Sequence, residues 1–366
     1  MNVLHLLVSG GTGGIEVLMK NYAQDSTHKN IFVFVWKSGE IAKMMEQNGA
    51  SVYVTNAAVE GMFTTLKKIR QICRKEQIDI AVSHNSAPLL KLALIYIKIF
   101  VPNVKVVAYA HANARDICEH KRKKGLLLRK LVHRLGFAAA DGIVAISDSV
   151  KASLQIYLGV NEKKIFRIYN GTQIARTCDL KDRTSEKNIL KLIYVGRLIQ
   201  EKGVQNTLFV LSRLKGKLPF MFTVVGDGPY RQTLEKMANQ LGLEDCVTFQ
   251  GNRTDVSQQL EEADVFIHLP EWDEGFGITV IEALASGRLC IVNQRGALPE
   301  IIEHGKNGFI LPADDPEAIQ NLLEEIWDMS DEARSRMQNN ARSSARRFSL
   351  EYFVRELDEY FREICS

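Results

Sequence analysis

Glu274-Gly275-Phe276-Gly277-Ile278-Thr279-Val280-Ile281-Glu282 sets two carboxylates eight positions apart around a Gly-x-Gly turn. The turn opens onto the helical run 279–285, so Glu274 is expected in the loop and Glu282 about one turn inside the helix. Loop amides at a helix N-terminus can face a phosphate or sugar hydroxyls, and the two carboxylates can accept hydrogen bonds from hydroxyls on either side. A helix start with a favourable acid would not need Gly-Phe-Gly. Upstream, Tyr194-Val195-Gly196-Arg197 ends an apolar run and Glu201-Lys202-Gly203 follows within the same loop. A guanidinium fork and a compact ammonium there suit a diphosphate, although each alone reads as an ordinary surface charge. Gly226-Asp227-Gly228-Pro229 is a tight turn, with Asp227 read as turn chemistry. Near the start, Gly10-Gly11-Thr12-Gly13-Gly14-Ile15-Glu16 follows an apolar run and precedes a helical pattern, which favours anion or ligand contact. Its spacing is not Gly-x-Gly-x-x-Gly and no Lys-Ser/Thr closes a P-loop, so alone it does not separate a dehydrogenase from a transferase.

These loops need a scaffold that presents them together. Val- and Ile-rich runs at 3–8, 31–36, 51–54, 78–83, 104–110 and 142–146 alternate with helical periodicity, the pattern of a parallel sheet with crossover helices. After a polar stretch at 172–188 the alternation restarts at 190–195, 220–225, 247–249, 265–269, 288–292 and 308–311. Two doubly wound α/β domains are expected, 1–171 and 172–345. Ligands in such sheets bind beyond the carboxyl ends of the strands, ends that two domains can turn toward one cleft. Residues 346–366 are expected to form a docking helix, with Tyr352, Phe353, Leu357, Tyr360, Phe361 and Ile364 on one face and Ser349 as N-cap.

The 366 residues, 46% hydrophobic and 25% charged, exclude a disordered or low-complexity chain. The net charge of +4 hides an asymmetry: residues 1–171 carry 24 Lys and Arg against 12 Asp and Glu, a net +12, and the remainder is −8. Six cysteines without a Cys-x-x-Cys pair argue against a zinc knuckle or disulfide scaffold and fit a reducing cytoplasm. The N-terminus reads as a strand rather than a signal peptide, and the apolar run 89–101 is interrupted by Lys91 and Lys98.

Taken in order, the motifs resemble the retaining, metal-independent glycosyltransferases of family 4, of GT-B fold with two facing Rossmann-like domains. The likeness runs from Gly-Gly-Thr-Gly-Gly-Ile-Glu through Ala145-Ile146-Ser147 with Ser149, Ile168-Tyr169-Asn170-Gly171, Gly196-Arg197 and Glu201-Lys202-Gly203. It continues through Gly226-Asp227-Gly228-Pro229, the paired glutamates, Leu298-Pro299-Glu300-Ile301 and Asn307-Gly308. The resemblance implies that Arg197 and Lys202 bind the donor's diphosphate and stabilise the leaving group's growing charge, the task a divalent metal performs in other transferases. Glu282 would hold the ribose hydroxyls, and Glu274 the hydroxyls of the transferred sugar. Gly275, Phe276 and Gly277 would present backbone amides, and Arg253 would lie beside the base, its backbone able to read it. His111, which alone would read as a structural residue, matches the family histidine near the reacting sugar carbon. Gly13, Gly14 and Glu16 would line the cleft near phosphate and acceptor. No cofactor and no metal is implied; the nucleotide-sugar is a substrate. Gln173 stands where an acid is common and Arg288 where proline often stands, so Arg288 is expected to alter local packing or reach solvent.

Residues 120–134 hold Lys121, Arg122, Lys123, Lys124, Arg129, Lys130 and Arg134, no acid, and interleaved leucines. Such a segment suits an anionic membrane surface, with a core-packing helix carrying a solvated basic face as the alternative. The resulting expectation is a cytoplasmic enzyme peripheral to the inner face of the membrane. It would move a hexose or N-acetylhexosamine, from UDP by preference, to a lipid-linked saccharide in envelope, capsule or exopolysaccharide synthesis. A GT-B nucleotide-sugar epimerase and a non-catalytic nucleotide-binding protein are the alternatives. No nucleic-acid-reading motif accompanies the basic segment.

Overall fold

The structure, a computed structural model, describes residues 1–84, 87–118, 126–174 and 188–366. It divides into two compact units, one of Met1–Gly171 with Leu350–Ser366 and the other of Thr172–Ser349. The break falls after Ser349 rather than at 345, since Thr172 forms a bridge with Ser349 and its amide donates to the Phe348 carbonyl at 3.0 Å.

The first unit is built on seven parallel strands: β1 (Asn2–Ser9), β2 (Lys29–Lys37), β3 (Ser51–Val54), β4 (Ile80–Ser83), β5 (Lys105–Ala110), β6 (Gly142–Ala145) and β7 (Ile165–Arg167). They lie in the order β3-β2-β1-β4-β5-β6-β7. The interior of β1 and all of β4 are buried on both faces, which is why these segments read as continuous apolar runs rather than alternating ones. The edge strand β7 escapes the sequence pattern because it is three residues long and leaves Phe166 exposed. The second unit has six parallel strands, β8 (Leu190–Val195), β9 (Phe220–Val225), β10 (Val247–Gly251), β11 (Val265–His268), β12 (Leu289–Val292) and β13 (Phe309–Ile310), in the order β10-β9-β8-β11-β12-β13. The winding direction reverses between β1 and β4 and again between β8 and β11, the topological position beside which ligands bind in sheets of this kind.

The final helix, Leu350–Cys365, buries Phe353, Val354, Leu357, Tyr360 and Phe361 and packs on the helix Gly14–Asp25 of the first unit. Tyr352 is exposed instead of joining that face. Buried among the apolar residues is Asp358, whose carboxylate accepts from the Tyr22 and Ser26 hydroxyls at 2.7 and 2.8 Å and from the Thr27 amide and hydroxyl at 2.9 and 2.7 Å. Burial opposes the charge, but the four donors more than offset it, and the carboxyl lies below its usual range. The apolar run 89–101 forms the core helix Pro88–Phe100. Among the described residues no helix is long and apolar enough to cross a membrane, and no disulfide is formed.

Candidate active site

In the second unit the loops after β8 and β11 meet at the reversal point. Lys202 ends the short 3-10 turn Gln200–Lys202, and Gly203 follows at φ +75°, caps the helix Val204–Leu214 and lies against the Leu269 carbonyl. Any Cβ there would enter the backbone of the β11 loop, so glycine permits the approach. The amide of Glu271 also donates to the Glu201 carbonyl at 2.9 Å. Across this seam the Lys202 ammonium reaches the Glu274 carboxylate at 2.5 Å, and His268 Nε2 meets the same oxygen at 3.2 Å. Burial alone would raise the Glu274 pKa, but the His268 hydrogen bond and Lys202 charge bring it down to about 2. His268 is pushed down by burial, so its neutral ring donates from Nε2 and leaves Nδ1 bare; that atom is buried and has no partner among the described residues. Sequence reasoning passed over His268, whose signal was its place at the carboxyl end of the strand beside β8. The Trp272 ring lies 5.7 Å from the Lys202 ammonium.

Glu274 is held from behind: its carbonyl accepts from the Ala297 amide at 2.8 Å, and Gly296, at φ +57°, lets the β12 loop press against its backbone. Gly277, at φ +94°, caps the helix Ile278–Ala285, and Phe276 turns its ring into the core edge-on to Phe348, leaving only backbone to the loop. Glu282 lies within that helix, where burial raises its carboxyl to about 7 against a hydrogen bond from Thr172. Arg197 is exposed on the loop shared with Lys202, and no ion pair to it occurs among the described residues. Arg253 is bound by the carboxylate of Asp255 at 2.6 and 2.8 Å, so its side chain is already committed. Asp227 accepts from the Gly228 amide and from Arg231, which is turn chemistry. Arg288 does not reach solvent: it is 4% exposed and donates to the carbonyls of Ser286, Glu261 and Ala263.

In the first unit Gly13 and Gly14 are exposed at the start of the helix Gly14–Asp25, whereas Glu16 is buried and folds back over Gly13. Burial raises the Glu16 carboxyl, with its own backbone amide acting in the other direction, so Glu16 closes its helix start. His111, after β5, stacks on Tyr109 at 4.2 Å and meets His84 at 3.1 Å, a partner the sequence reading did not assign. Lys91, 1% exposed, donates to the Ser83 hydroxyl at 3.0 Å and lies over the Phe137 ring, burial having lowered its pKa to about 7.

Of the proposed membrane residues, Lys121, Arg122, Lys123 and Lys124 lie outside the described residues; Arg129 and Lys130 belong to the helix Leu126–Ala139. Four of its five leucines do not pack inward: Leu127, Leu128, Leu131 and Leu135 are 83%, 65%, 50% and 51% exposed, and His133, Gly136 and Phe137 are the residues buried.

Two parallel-sheet units, with glycine-permitted loops converging at the second reversal point, define a GT-B architecture. Residues 12–176 match the model of Glycosyltransferase Family 4 and residues 179–344 that of Glycosyl transferases group 1. The N-acetyl-alpha-D-glucosaminyl L-malate synthase of Bacillus anthracis is 26% identical over 294 residues, 75% of this chain and 74% of that one. The structure of Anabaena Alr3699/HepE in complex with UDP-glucose superposes with a TM-score of 0.81 at 21% identity, over 99% of this chain and 100% of the other. The apo lipopolysaccharide outer core galactosyltransferase WaaB superposes with a TM-score of 0.77 at 18% identity, over 98% of each. The chain belongs to the family 4 glycosyltransferases of GT-B fold.

Proposed function

We propose that this glycosyltransferase is a retaining, metal-independent enzyme that moves a hexose or N-acetylhexosamine from a UDP-sugar to a lipid-linked saccharide. The observation that carries the donor side is the Lys202–Glu274 contact of 2.5 Å at the second reversal point. An ammonium has three donors, so Lys202 can keep Glu274 with one and offer the others to a diphosphate. Glu274, held ionised, accepts from hydroxyls of the transferred sugar, with the backbone of Gly275, Phe276 and Gly277 beside it. Glu282 accepts from ribose hydroxyls, and Arg197 supplies the second cation. Arg253 contributes backbone beside the base. As the glycosidic bond breaks, the anomeric carbon gains positive charge and the phosphate negative charge, so both cations bind the transition state more strongly than the ground state. In same-face attack the leaving phosphate accepts the proton of the attacking hydroxyl. His111 acts toward the transferred sugar, and Gly13 and Gly14 belong to the acceptor side with Glu16 supporting their loop. The relative known with UDP-glucose supports the donor class.

The outward leucines of Leu126–Ala139, interleaved with Arg129, Lys130 and Arg134, support docking on an anionic inner membrane face and hence a lipid-linked acceptor for envelope, capsule or exopolysaccharide synthesis. The test is incubation with UDP, GDP, ADP and CDP sugars and a lipid-linked saccharide extract, with the product anomer read by NMR. Transfer from a UDP-sugar with retention is the expected result. Sugar isomerisation, or binding without turnover, would overturn it.

A further inference from the structure

Behind His111 runs a line of buried side chains that the donor chemistry does not use. His111 Nε2 lies 3.1 Å from His84 Nδ1, His84 Nε2 lies 2.9 Å from His5 Nδ1, and His5 Nε2 lies 2.9 Å from Asn30 Oδ1. His5, His84 and Asn30 are 0%, 0% and 8% exposed. The three rings are clamped, His5 against Phe32 at 5.0 Å, and His84 and His111 against Tyr109 at 5.2 and 4.2 Å. They line up end to end, and among the described residues no group of three His, Cys, Asp or Glu is placed to hold a metal ion.

The direction of this chain follows from its far end. Asn30 donates from Nδ2 to the His28 carbonyl at 3.1 Å, so turning the amide over would set two oxygens against each other. The amide oxygen therefore faces His5, and His5 Nε2 must carry the proton. A neutral His5 then accepts at Nδ1 from His84 Nε2–H, and a neutral His84 accepts at Nδ1 from His111 Nε2–H. What remains is His111 Nδ1, a bare lone pair, buried and, among the described residues, without a partner. An amide neither gives nor takes a proton at neutral pH, so the line holds a tautomer and does not conduct protons. Burial keeps the rings neutral, His5 down to about 4, His111 down to about 3 and His84 well below its usual value. The charged and titratable groups around them are Lys91 on the helix Pro88–Phe100, Tyr22 on Gly14–Asp25, Tyr109 on β5, His28 before β2, and Asp358 on the final helix.

We infer that Asn30, His5 and His84 are positioning residues that hold His111 as a neutral Nε2–H tautomer, so that its Nδ1 can only accept a hydrogen bond, from a substrate hydroxyl. The inference rests on the proposed transferase reading for the identity of that hydroxyl, and not for the tautomer.

The test pairs histidine NMR with kinetics. In 15N-histidine-labelled protein, long-range 1H–15N spectra are expected to show His5, His84 and His111 as Nε2–H tautomers that do not titrate between pH 5 and 8, with His111 Nδ1 shifting when UDP-glucose is added. His84→Leu is expected to leave His111 neutral, since burial sets its charge, but to return it to a mixture of Nδ1–H and Nε2–H tautomers and to lower kcat about tenfold with little change in KM. His84→Gln, which can donate to His5 and accept from His111, is expected to restore the tautomer and most of the rate. If His84→Leu does not fold, Asn30→Leu serves, with loss of the single tautomer along the line as the expected result. A wild-type His111 in the Nδ1–H form or titrating near 6.5, or a folded His84→Leu protein with unchanged His111 signals and kcat, would overturn the inference. Intact tautomers in a protein that turns over no nucleotide-sugar would instead sink the transferase reading alone.

Discussion

The two units place a histidine at the same topological position and put it to opposite electrostatic use. His84 follows β4 and His268 ends β11, each strand lying across the reversal point from the first strand of its sheet. Both rings are buried and pushed toward neutrality. His268 faces a carboxylate that is also held by an ammonium, giving a site of fixed charge, whereas His84 faces two other rings and leaves its site uncharged. The strand fixes where the ring stands; the loops that reach it decide what it does. The proposed diphosphate site would need charge already in place, whereas a neutral acceptor would suit a hydroxyl.

The largest effect that would break this contrast is on the charged side. Lys202→Ala is expected to lower kcat by roughly 10²-fold or more by analogy with lost oxyanion donors, with the folded state retained in circular dichroism. A folded Lys202→Ala enzyme with normal turnover would remove the fixed-charge role. Gly203→Ala tests the seam itself: left-handed strain and collision with the Leu269 carbonyl are expected to cost about 1–3 kcal/mol in denaturant unfolding and to reduce kcat with it. Unchanged stability would mean that the loops can separate without consequence.

A third test uses the acid of the helix beyond Glu274. With Glu282 at about 7 and only its ionised form fully competent for ribose, the Kd for UDP-glucose should fall roughly tenfold from pH 6 to pH 8, and Glu282→Gln should flatten the profile. Stability runs in opposite senses for the two glutamates. Glu274, held at about 2, contributes stability above its ordinary range near 4.5 that is lost as pH falls toward 2. Glu282, raised, favours the folded state while protonated, so stability declines as pH rises from about 4.5 through 7, and Glu282→Gln should raise Tm more at pH 8 than at pH 4. The smallest effect on chemistry is expected from the basic helix. The double substitution Leu127→Asp with Leu131→Asp should abolish flotation with anionic vesicles while leaving turnover on a soluble acceptor intact, and equal recovery with neutral vesicles would argue against charge-driven docking.

Much of the proposed donor site is legible because it is local. The Gly-Phe-Gly turn, the acids around it and the Arg197–Lys202 loop are each written within a few residues, and their order matches one family. Twelve of the thirteen described strands were visible as apolar runs, most plainly the central ones such as β1, β4 and β11, which are buried on both faces. His268 stood out only by its place at the carboxyl end of an apolar strand, because its partner Glu274 becomes a partner only when the β11 loop folds back. Of the two outcomes expected for Arg288, packing rather than solvent is realised for a related reason: the carbonyls of Ser286, Glu261 and Ala263 converge on it, and no spacing announces that.

The sequence by itself determined the alternation of strand and helix, the turns where glycine alone fits, and the charge asymmetry between residues 1–171 and the rest. Tertiary structure decided which side chains touch. His5, Asn30, His84 and His111 are scattered over more than a hundred positions and align only because β1, β2, β4 and β5 are neighbours in one sheet. Four of the five leucines of Leu126–Ala139 face outward only because His133, Gly136 and Phe137 take the inner face. Periodicity is carried by covalent neighbours and survives in the sequence, whereas protonation, pairing and exposure are set by groups brought together from distant positions.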